Sequence, residues 1–484
     1  MSDSVLFTAE VPGFDASTAQ LTLERHHLVS TAVSYINSFP LDTVLYLDPP
    51  PRQPYQQEQQ GAEDPAAAEL DAKPRRKRRR VAPSAESASP ADWLLHREKE
   101  ERRTTTDRET DEHHASISLG LETAINAIRQ GWSAAQGDEK GWMGEVGDRV
   151  RWREGAAEDS RAELNLVKLA GGVTARSESV LRLEGSLAKL PVERLFHRIV
   201  LNPSHSATCV VDMHDGAEDA SKKLASLLIP PSSGFLLADF FSWSSASSGI
   251  AALGKEVGGW NVVVIDPPWP NASATRSSSY DTFDAYDLWK LDLPALLGDK
   301  PALVAVWLTN KVKYRRLLLD KLFPAWHIQS AAEWYWVKIA SETGEPVWRL
   351  DAKHRRCYEG LLVGYYVPPA TKVDLPSLPP NKVFLSTPIG HSRKLVLVDL
   401  LRPFLLDPSK PPNVLELFAR TTLSGFRAAS HGEEAAASGG VGRGLGERGT
   451  FLAVGNEAVK FNVVDEEGAD ATRGWLSYSA KKSE

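Results

Sequence analysis

Asp266-Pro267-Pro268-Trp269 is the stretch of this sequence best equipped for chemistry. It follows directly on Val262-Val263-Val264-Ile265, an apolar, β-branched run that reads as a strand buried on both faces. Two consecutive prolines cannot continue a ladder, so the chain must leave the sheet there in a stiff turn. A carboxylate and a large aromatic ring are thereby held at the carboxyl end of a core strand, where open α/β sheets place their ligands. The chemistry that fits is methylation of an exocyclic amine on a planar base. Such an amine is a poor nucleophile, because its lone pair is delocalised into the ring. Two acceptors aimed at its hydrogens localise that pair. Asp266 supplies one and the Pro267 carbonyl the other, while Trp269 offers a stacking face worth roughly 1–3 kcal/mol. The prolines give the stiffness that preorganised acceptors need.

The chain contains its own control. Thr43 to Pro54 also runs from an apolar segment into Asp48-Pro49-Pro50, but Pro51 follows where an aromatic would be required. That copy reads as a strand leading into a linker.

Other elements must position the turn. Phe235-Leu236-Leu237-Ala238 is a short apolar strand ending at Asp239-Phe240, and Leu303 to Trp307 is a further buried strand, followed by a helix from Tyr314 to Phe323. Ser330 to Val337 is an aromatic-dense strand containing Trp336 and followed by Lys338, and Leu361 to Val367 is another strand, preceded by Tyr358. The polar loop after Asp266 carries Asn271, Arg276 and Tyr280, whose types suit phosphate and base contacts. Lys353-His354-Arg355-Arg356 is a candidate phosphate patch. Ile389 to Lys394 reads as the opening of a helix through Leu400, an anion-favouring position. Val414 to Phe418 is a strand with an embedded carboxylate, Glu416.

Taken in order, LIPPSSGFLLADF, IDPPWPN with RSSSY behind it, VWLTN, AEWYWVK, YEGLLVG, ELFAR and GNE form a set of motifs from about Leu228 to Asn462. That set resembles the eukaryotic adenine-6-amino methyltransferases related to the seventy-kilodalton mRNA adenosine methyltransferase subunit, within them the methyltransferase-like protein 4 branch. The resemblance implies a Rossmann-like α/β class I methyltransferase domain with permuted motif order, the catalytic turn preceding the Glu416 strand. It implies S-adenosylmethionine as cofactor, with Asp239 and Phe240 at its adenine end and Lys394 at its methionine carboxylate. Asp266, Glu416, Arg420, Asn456 and Glu457 match further cofactor-site positions. Asn271, Arg276 and Tyr280 fall in the family's gating loop, and Trp336, Lys338 and Tyr358 are the candidates for lining the base pocket. Two departures stand out: Thr421-Thr422, where the branch carries Asn or His, and a Gly/Ala-rich insertion between Phe426 and Phe451.

The 484 residues leave room for two or three domains. We read 1–48 as a small N-terminal segment, 49–92 as a disordered linker, 93–204 as a helix-rich accessory domain, 227–465 as the methyltransferase domain and 466–484 as a tail. A net charge of −7 excludes a global polycation, so nucleic acid must be held by local patches. The dense basic run from Lys73 to Arg80 reads as a nuclear-import signal or nucleic-acid tether. Cys209 and Cys357, far apart, indicate neither a disulfide framework nor a metal site, and no apolar run approaches a membrane span. The expected activity is methyl transfer to adenine in nucleic acid, RNA ahead of DNA, with a catalytically silent RNA-binding scaffold as the alternative.

Overall fold

Strands of β-branched and aromatic residues without polar interruption must be covered on both faces. The computed structural model describes residues 5–9, 19–22, 47–48, 105–136, 150–151, 180–214, 223–244, 249–270, 284–339, 345–352, 356–386, 394–428 and 448–464. Among these, twelve strands form one mixed sheet. In chain order they are β1 (Val5–Ala9), β2 (Ala19–Thr22), β3 (Val180–Arg182), β4 (Ile199–Asn202), β5 (Ser233–Leu237) and β6 (Val262–Ile265). Then come β7 (Ala302–Trp307), β8 (Ile328–Lys338), β9 (Tyr358–Tyr366), β10 (Val383–Ser386), β11 (Val414–Leu417) and β12 (Phe451–Gly455). The spatial order is β1-β2-β10-β8-β9-β7-β6-β11-β12-β5-β4-β3. The five neighbours β7-β6-β11-β12-β5 are parallel. Within that run lies β6, every residue of it buried, in register with β11 so that Val264 pairs with Glu416.

Alternation sorts the strand residues onto two cores. Val263, Ile265, Val304, Val306 and Leu415 pack with the helices α2 (Ile250–Glu256), α3 (Leu293–Leu297) and α4 (Val312–Leu317). Val262, Val264, Ala305 and Val414 face the other way, towards Cys209, Val211, Leu227 and Ile229 of a second, four-stranded sheet. Close approach is built in on the helical side: the Trp260 indole lies over Gly254, where a Cβ would come within 2.4 Å of its Nε1. At the opposite end of β6, Asn413 ties three segments together. Its Nδ2 donates to the Val257 and Gly259 carbonyls at 2.7 and 3.0 Å, and its Oδ1 accepts from Thr450 N at 2.8 Å.

Three expectations are corrected. First, residues 180–202 are mainly strand, with helix confined to one 3-10 turn at Val192–Leu195: β3, Leu187–Pro191 and β4 are strands, and β4 pairs antiparallel with β5. Short apolar runs carry no decisive period, and the break at Gly185, with φ +73, sits where a strand turns rather than where a helix continues. The large sheet therefore draws in strands well before residue 227. Second, the long helix Thr105–Gln136 (α1) is part of the large sheet's packing rather than of a domain of its own. Its Leu121, Ala124 and Ile125 are buried against Tyr335, Val337, Tyr358, Val383 and Leu385 of β8, β9 and β10. Third, Lys394 to Leu397 is not helical; the helix is only Val398–Leu401 and Leu397 gives no side-chain cap, so no helix terminus faces an anion at Lys394. The basic run Lys73 to Arg80, the linker, the Gly/Ala-rich insertion and the 466–484 tail lie outside the described residues.

Candidate active site

Where β6 ends, the Asp266 backbone N–H still donates to Leu417 O at 3.2 Å, tethering the turn to β11. Trp269 N–H then closes the turn onto the Pro267 carbonyl at 2.7 Å. That bond uses one of two lone pairs on the carbonyl, so Pro267 retains one for a substrate amine. The Trp269 ring has a different job from the open stacking face expected. It is 7% exposed, its Nε1 donates to Trp307 O at 2.8 Å, and its ring stacks on Tyr314 with centroids 4.8 Å apart. Tyr314 Oη and Lys311 Nζ also donate to the Pro270 carbonyl, at 3.2 and 3.4 Å. Trp269 is a brace that fixes the turn from behind.

In front of the turn, strand periodicity brings charges to one face. Asp266 follows Val262 and Val264 on the same side as Glu416 in β11, Glu359 in β9 and Lys338 in β8. Lys394 Nζ stands 3.4 Å from Asp266 Oδ1 and is bonded to Glu359 Oε2, whose other oxygen accepts from Lys338 Nζ at 2.5 Å. Both ammonium groups sit over indoles: Lys394 is 5.0 Å from the Trp307 centroid and Lys338 4.8 Å from that of Trp336. The result is an alternating Lys-Glu-Lys-Asp row on an aromatic floor.

Burial and neighbouring charge set the protonation states. Burial pushes the Asp266 carboxyl up, and Lys394 and Arg420 pull back without cancelling it. Burial works on Glu359 too, but Lys338 and Lys394 outweigh it and bring the group down to about 2. For Lys394 burial favours the neutral amine, yet Asp266 and Glu359 carry its pKa above the ordinary value. Glu416 has no such partner: burial first, then the Asp266 charge, lift it to about 8.

The remaining candidates divide. Arg420 Nε lies 3.2 Å from Glu457 Oε2, and Glu457 also meets Lys460 Nζ at 3.0 Å, so these two expected cofactor residues meet each other beside the end of β12. Asn456 is exposed in the turn after β12. Asp239 caps the helix Phe240–Trp243, its Oδ1 accepting from Ser242 N at 3.0 Å and its Oδ2 from Ser242 Oγ at 2.8 Å. Phe240 stacks on Phe418, ring centroids 5.5 Å apart, and forms a wall beside the Glu416 strand. Trp336 is fully buried as floor beneath Lys338 and offers no surface to a base, which corrects its assignment as a substrate contact. Tyr358 precedes Glu359 and therefore faces the opposite side of β9, where its hydroxyl meets His114 Nδ1 at 3.0 Å. Asn271, Arg276 and Tyr280, with Lys353 to Arg355, lie outside the described residues. The departure at Thr421-Thr422 has a structural use: Thr422 N donates to Asn462 Oδ1 at 2.8 Å and Thr422 Oγ1 to Ala458 O at 3.1 Å, latching β11 to the segment after β12.

Sequence reasoning missed Glu359, the carboxylate that joins the two lysines. The available signal was a lone acid opening an otherwise apolar strand. Among the described residues no His, Cys, Asp and Glu cluster is arranged to hold a metal ion, and no helix is long and apolar enough to cross a membrane.

A parallel five-stranded core with ligand-type groups gathered at its carboxyl ends has the plan of a Rossmann-like methyltransferase domain. Residues 260–434 match the MT-A70 family. The similarity extends to "N(6)-adenine-specific methyltransferase METTL4" of Mus musculus, 35% identical over 207 residues, and to the Homo sapiens protein of the same name, 34% identical over 207 residues. Each match covers 41% of this chain and 41% of the relative, so the likeness spans well under half the length of either METTL4 protein. "N6-methyladenosine RNA methyltransferase MTA1" of Pyricularia oryzae is 35% identical over 179 residues, 34% of this chain and 45% of that protein. The resemblance to the methyltransferase-like protein 4 branch is thus borne out.

Proposed function

We propose that this chain is an S-adenosylmethionine-dependent methyltransferase acting on the 6-amino group of adenine in nucleic acid, with RNA as the substrate. The observation that carries the reading is the placement of Asp266 and the Pro267 carbonyl, braced by Trp269, against the Lys394-Glu359-Lys338 row. Relatives named for adenine-N6 methylation, one of them for RNA, support it. The β12 strand, late in the chain, pairs between β11 and β5, which supports a permuted order of methyltransferase motifs.

The residues present suit the cofactor. The Glu416 carboxyl, raised to about 8 and so protonated at neutral pH, can both donate to and accept from ribose hydroxyls. Lys394 suits a carboxylate, and the Phe240–Phe418 wall suits a flat base. When bound, S-adenosylmethionine supplies an electrophilic methyl group. The protein's own part is orientation. Asp266 accepts one N6 hydrogen and the Pro267 carbonyl the other, turning the nitrogen lone pair out of conjugation. As the N6–CH3 bond forms, the amine sheds one proton, and Asp266, whose affinity for a proton is raised by burial, is the carboxylate that meets it. In structured nucleic acid the adenine must first be unpaired or flipped. The basic run Lys73 to Arg80 supports nuclear import of the enzyme.

Methyl transfer from labelled donor to matched RNA and DNA oligonucleotides, wild type against Asp266→Ala, tests the proposal. Transfer to RNA, abolished in the variant with donor affinity nearly unchanged, is the expected result. Preference for DNA overturns the substrate assignment, equal loss of transfer and donor binding overturns the role of Asp266, and failure of the wild type to bind donor overturns the enzyme reading.

A further inference from the structure

Lys311, Lys313, Arg315 and Arg316 crowd the residue before α4 and its first turns. Two of these charges are neutralised locally. Arg315 meets Glu333 at 2.5 Å, and Arg316 reaches across to Glu109 of α1 at 2.9 Å. The lysines are treated differently: among the described residues, no carboxylate stands within ion-pair distance of either. Both ammonium groups lie instead around one ring, Lys313 at 4.7 Å and Lys311 at 5.9 Å from the Tyr314 centroid. Lys313 is exposed and Lys311 half-buried. Gathering two like charges in this way costs the protein free energy. The cost registers on Lys311, whose pKa is lowered by partial burial first and by the Lys313 charge second, with Asp107 of α1 offsetting only part.

The pair is built into the turn after β6. Lys311 Nζ and Tyr314 Oη both donate to the Pro270 carbonyl, and the Tyr314 ring stacks on Trp269. Four peptide units join Asp266 to Pro270, so the two are at most about 14 Å apart even in a fully extended chain. A nucleic-acid strand with one base at Asp266 has room to lay a nearby phosphate beside the lysines. Bracing accounts for part of Lys311, since one of its three N–H donors holds the turn. It does not account for Lys313, whose Nζ has no acceptor among the described residues and keeps its donors for the open surface. On a chain of net charge −7, this pair is a local cationic patch of the kind that phosphate binding requires. Lysine meets phosphate as a compact point charge, without the fixed fork of arginine.

We propose that Lys311 and Lys313 form a phosphate-binding site for the nucleic-acid strand, holding one phosphodiester close to the target adenine on the outer side of the turn. The inference rests on the nucleic-acid reading above and adds to it a contact through the strand's backbone, which positions the strand without reading its sequence. The site is open surface, so its contribution is electrostatic and falls as salt rises.

The test is equilibrium binding of the full chain to fluorescently labelled single-stranded RNA and DNA with one central adenine, followed from about 50 to 200 mM salt. Lys313→Gln is the informative variant. Lys313 is exposed and makes no hydrogen bond to the turn, so melting temperature and methyl-donor affinity should stay at wild-type values. Lys313→Arg keeps the charge, and Lys321→Gln removes an equal charge from another exposed lysine further along the same helical segment. We expect Lys313→Gln to lower the slope of log affinity against log salt by about 0.7, the value for one phosphate contact on a single strand. The other two variants should keep the wild-type slope. A neutral methylphosphonate in place of one phosphodiester near the adenine should weaken wild type and add little to the loss in Lys313→Gln. An unchanged slope in Lys313→Gln, an equal loss in Lys321→Gln, or a methylphosphonate penalty identical in wild type and variant at every position would overturn the site. Binding of a labelled glutamate oligopeptide that depends on Lys313 as strongly as RNA binding does would assign the patch to an acidic protein partner and overturn it too. A wild type that binds neither RNA nor DNA at any salt refutes the nucleic-acid reading itself, and the phosphate site with it.

Discussion

Replacing Glu359 by Gln keeps the shape of the side chain and removes the charge that two lysines share. Lys394 would retain Asp266 at 3.4 Å, whereas Lys338 would keep the face of Trp336 and lose its carboxylate. Breaking a buried ion pair by removing one partner costs about 3–5 kcal/mol. Here Lys338, Glu359 and Lys394 are 26%, 22% and 21% exposed, so water screens part of that loss. A second route gives a similar magnitude. The Glu359 carboxyl falls from an ordinary 4.5 to about 2, and at roughly 1.4 kcal/mol per pKa unit that drop amounts to about 3 kcal/mol. We expect Glu359→Gln to destabilise the protein by about 2–3 kcal/mol at neutral pH. Because the folded-state pKa is depressed, the stabilisation is fully present above the unfolded value of 4.5 and is lost as pH falls through about 2. Denaturant unfolding of wild type and variant at neutral pH and at successively lower values should show the gap narrowing as acid is added. A gap independent of pH, or one below about 0.5 kcal/mol at neutral pH, would falsify the account of the row as a charge-coupled unit.

Glu416→Gln should act in the opposite sense. An acid raised to about 8 holds a proton in the folded state that the unfolded chain releases, so stability falls as pH climbs from 4.5 through 8. The variant should match wild type in mild acid and exceed it by about 1–3 kcal/mol near pH 8.5 in unfolding experiments; a variant destabilised at that pH contradicts the assignment. Asn413→Ala leaves the Val257 and Gly259 carbonyls and Thr450 N–H without their side-chain partner. A loss of about 2–3 kcal/mol is expected from calorimetry or denaturant melts, and a change under about 0.5 kcal/mol would show that water replaces the amide.

The strand β6 and the turn that follows it were legible because their signals are local. Four β-branched residues and two prolines state their geometry without help from the rest of the chain. Glu416 was legible for a similar reason, as an acid placed within an apolar strand. Glu359 was not, since its meaning depends on Lys338 and Lys394, 21 and 35 residues away. Trp269 was read as a free stacking face because nothing near it in sequence announces Tyr314 behind the ring. The strands between residues 180 and 202 were mistaken for helix since three to five apolar residues fit either period, and pairing with β5 decides the matter. For α1 the helical pattern was visible in part, but its docking partners on β8, β9 and β10 come more than 200 residues later.

One consequence of the strand order concerns how the molecule is made. β12, at residues 451–455, lies between β11 and β5, although β5 is synthesised more than 200 residues before it. Until β12 emerges, β5 and β11 each present a bare parallel edge, with the apolar groups Phe235 and Leu415 beside it. Such edges invite pairing with other chains, and parallel strands distant in sequence are slow to meet. The domain therefore has a vulnerable interval during synthesis, and its last inserted strand acts as the keystone that both silences those edges and brings Glu457 beside Arg420.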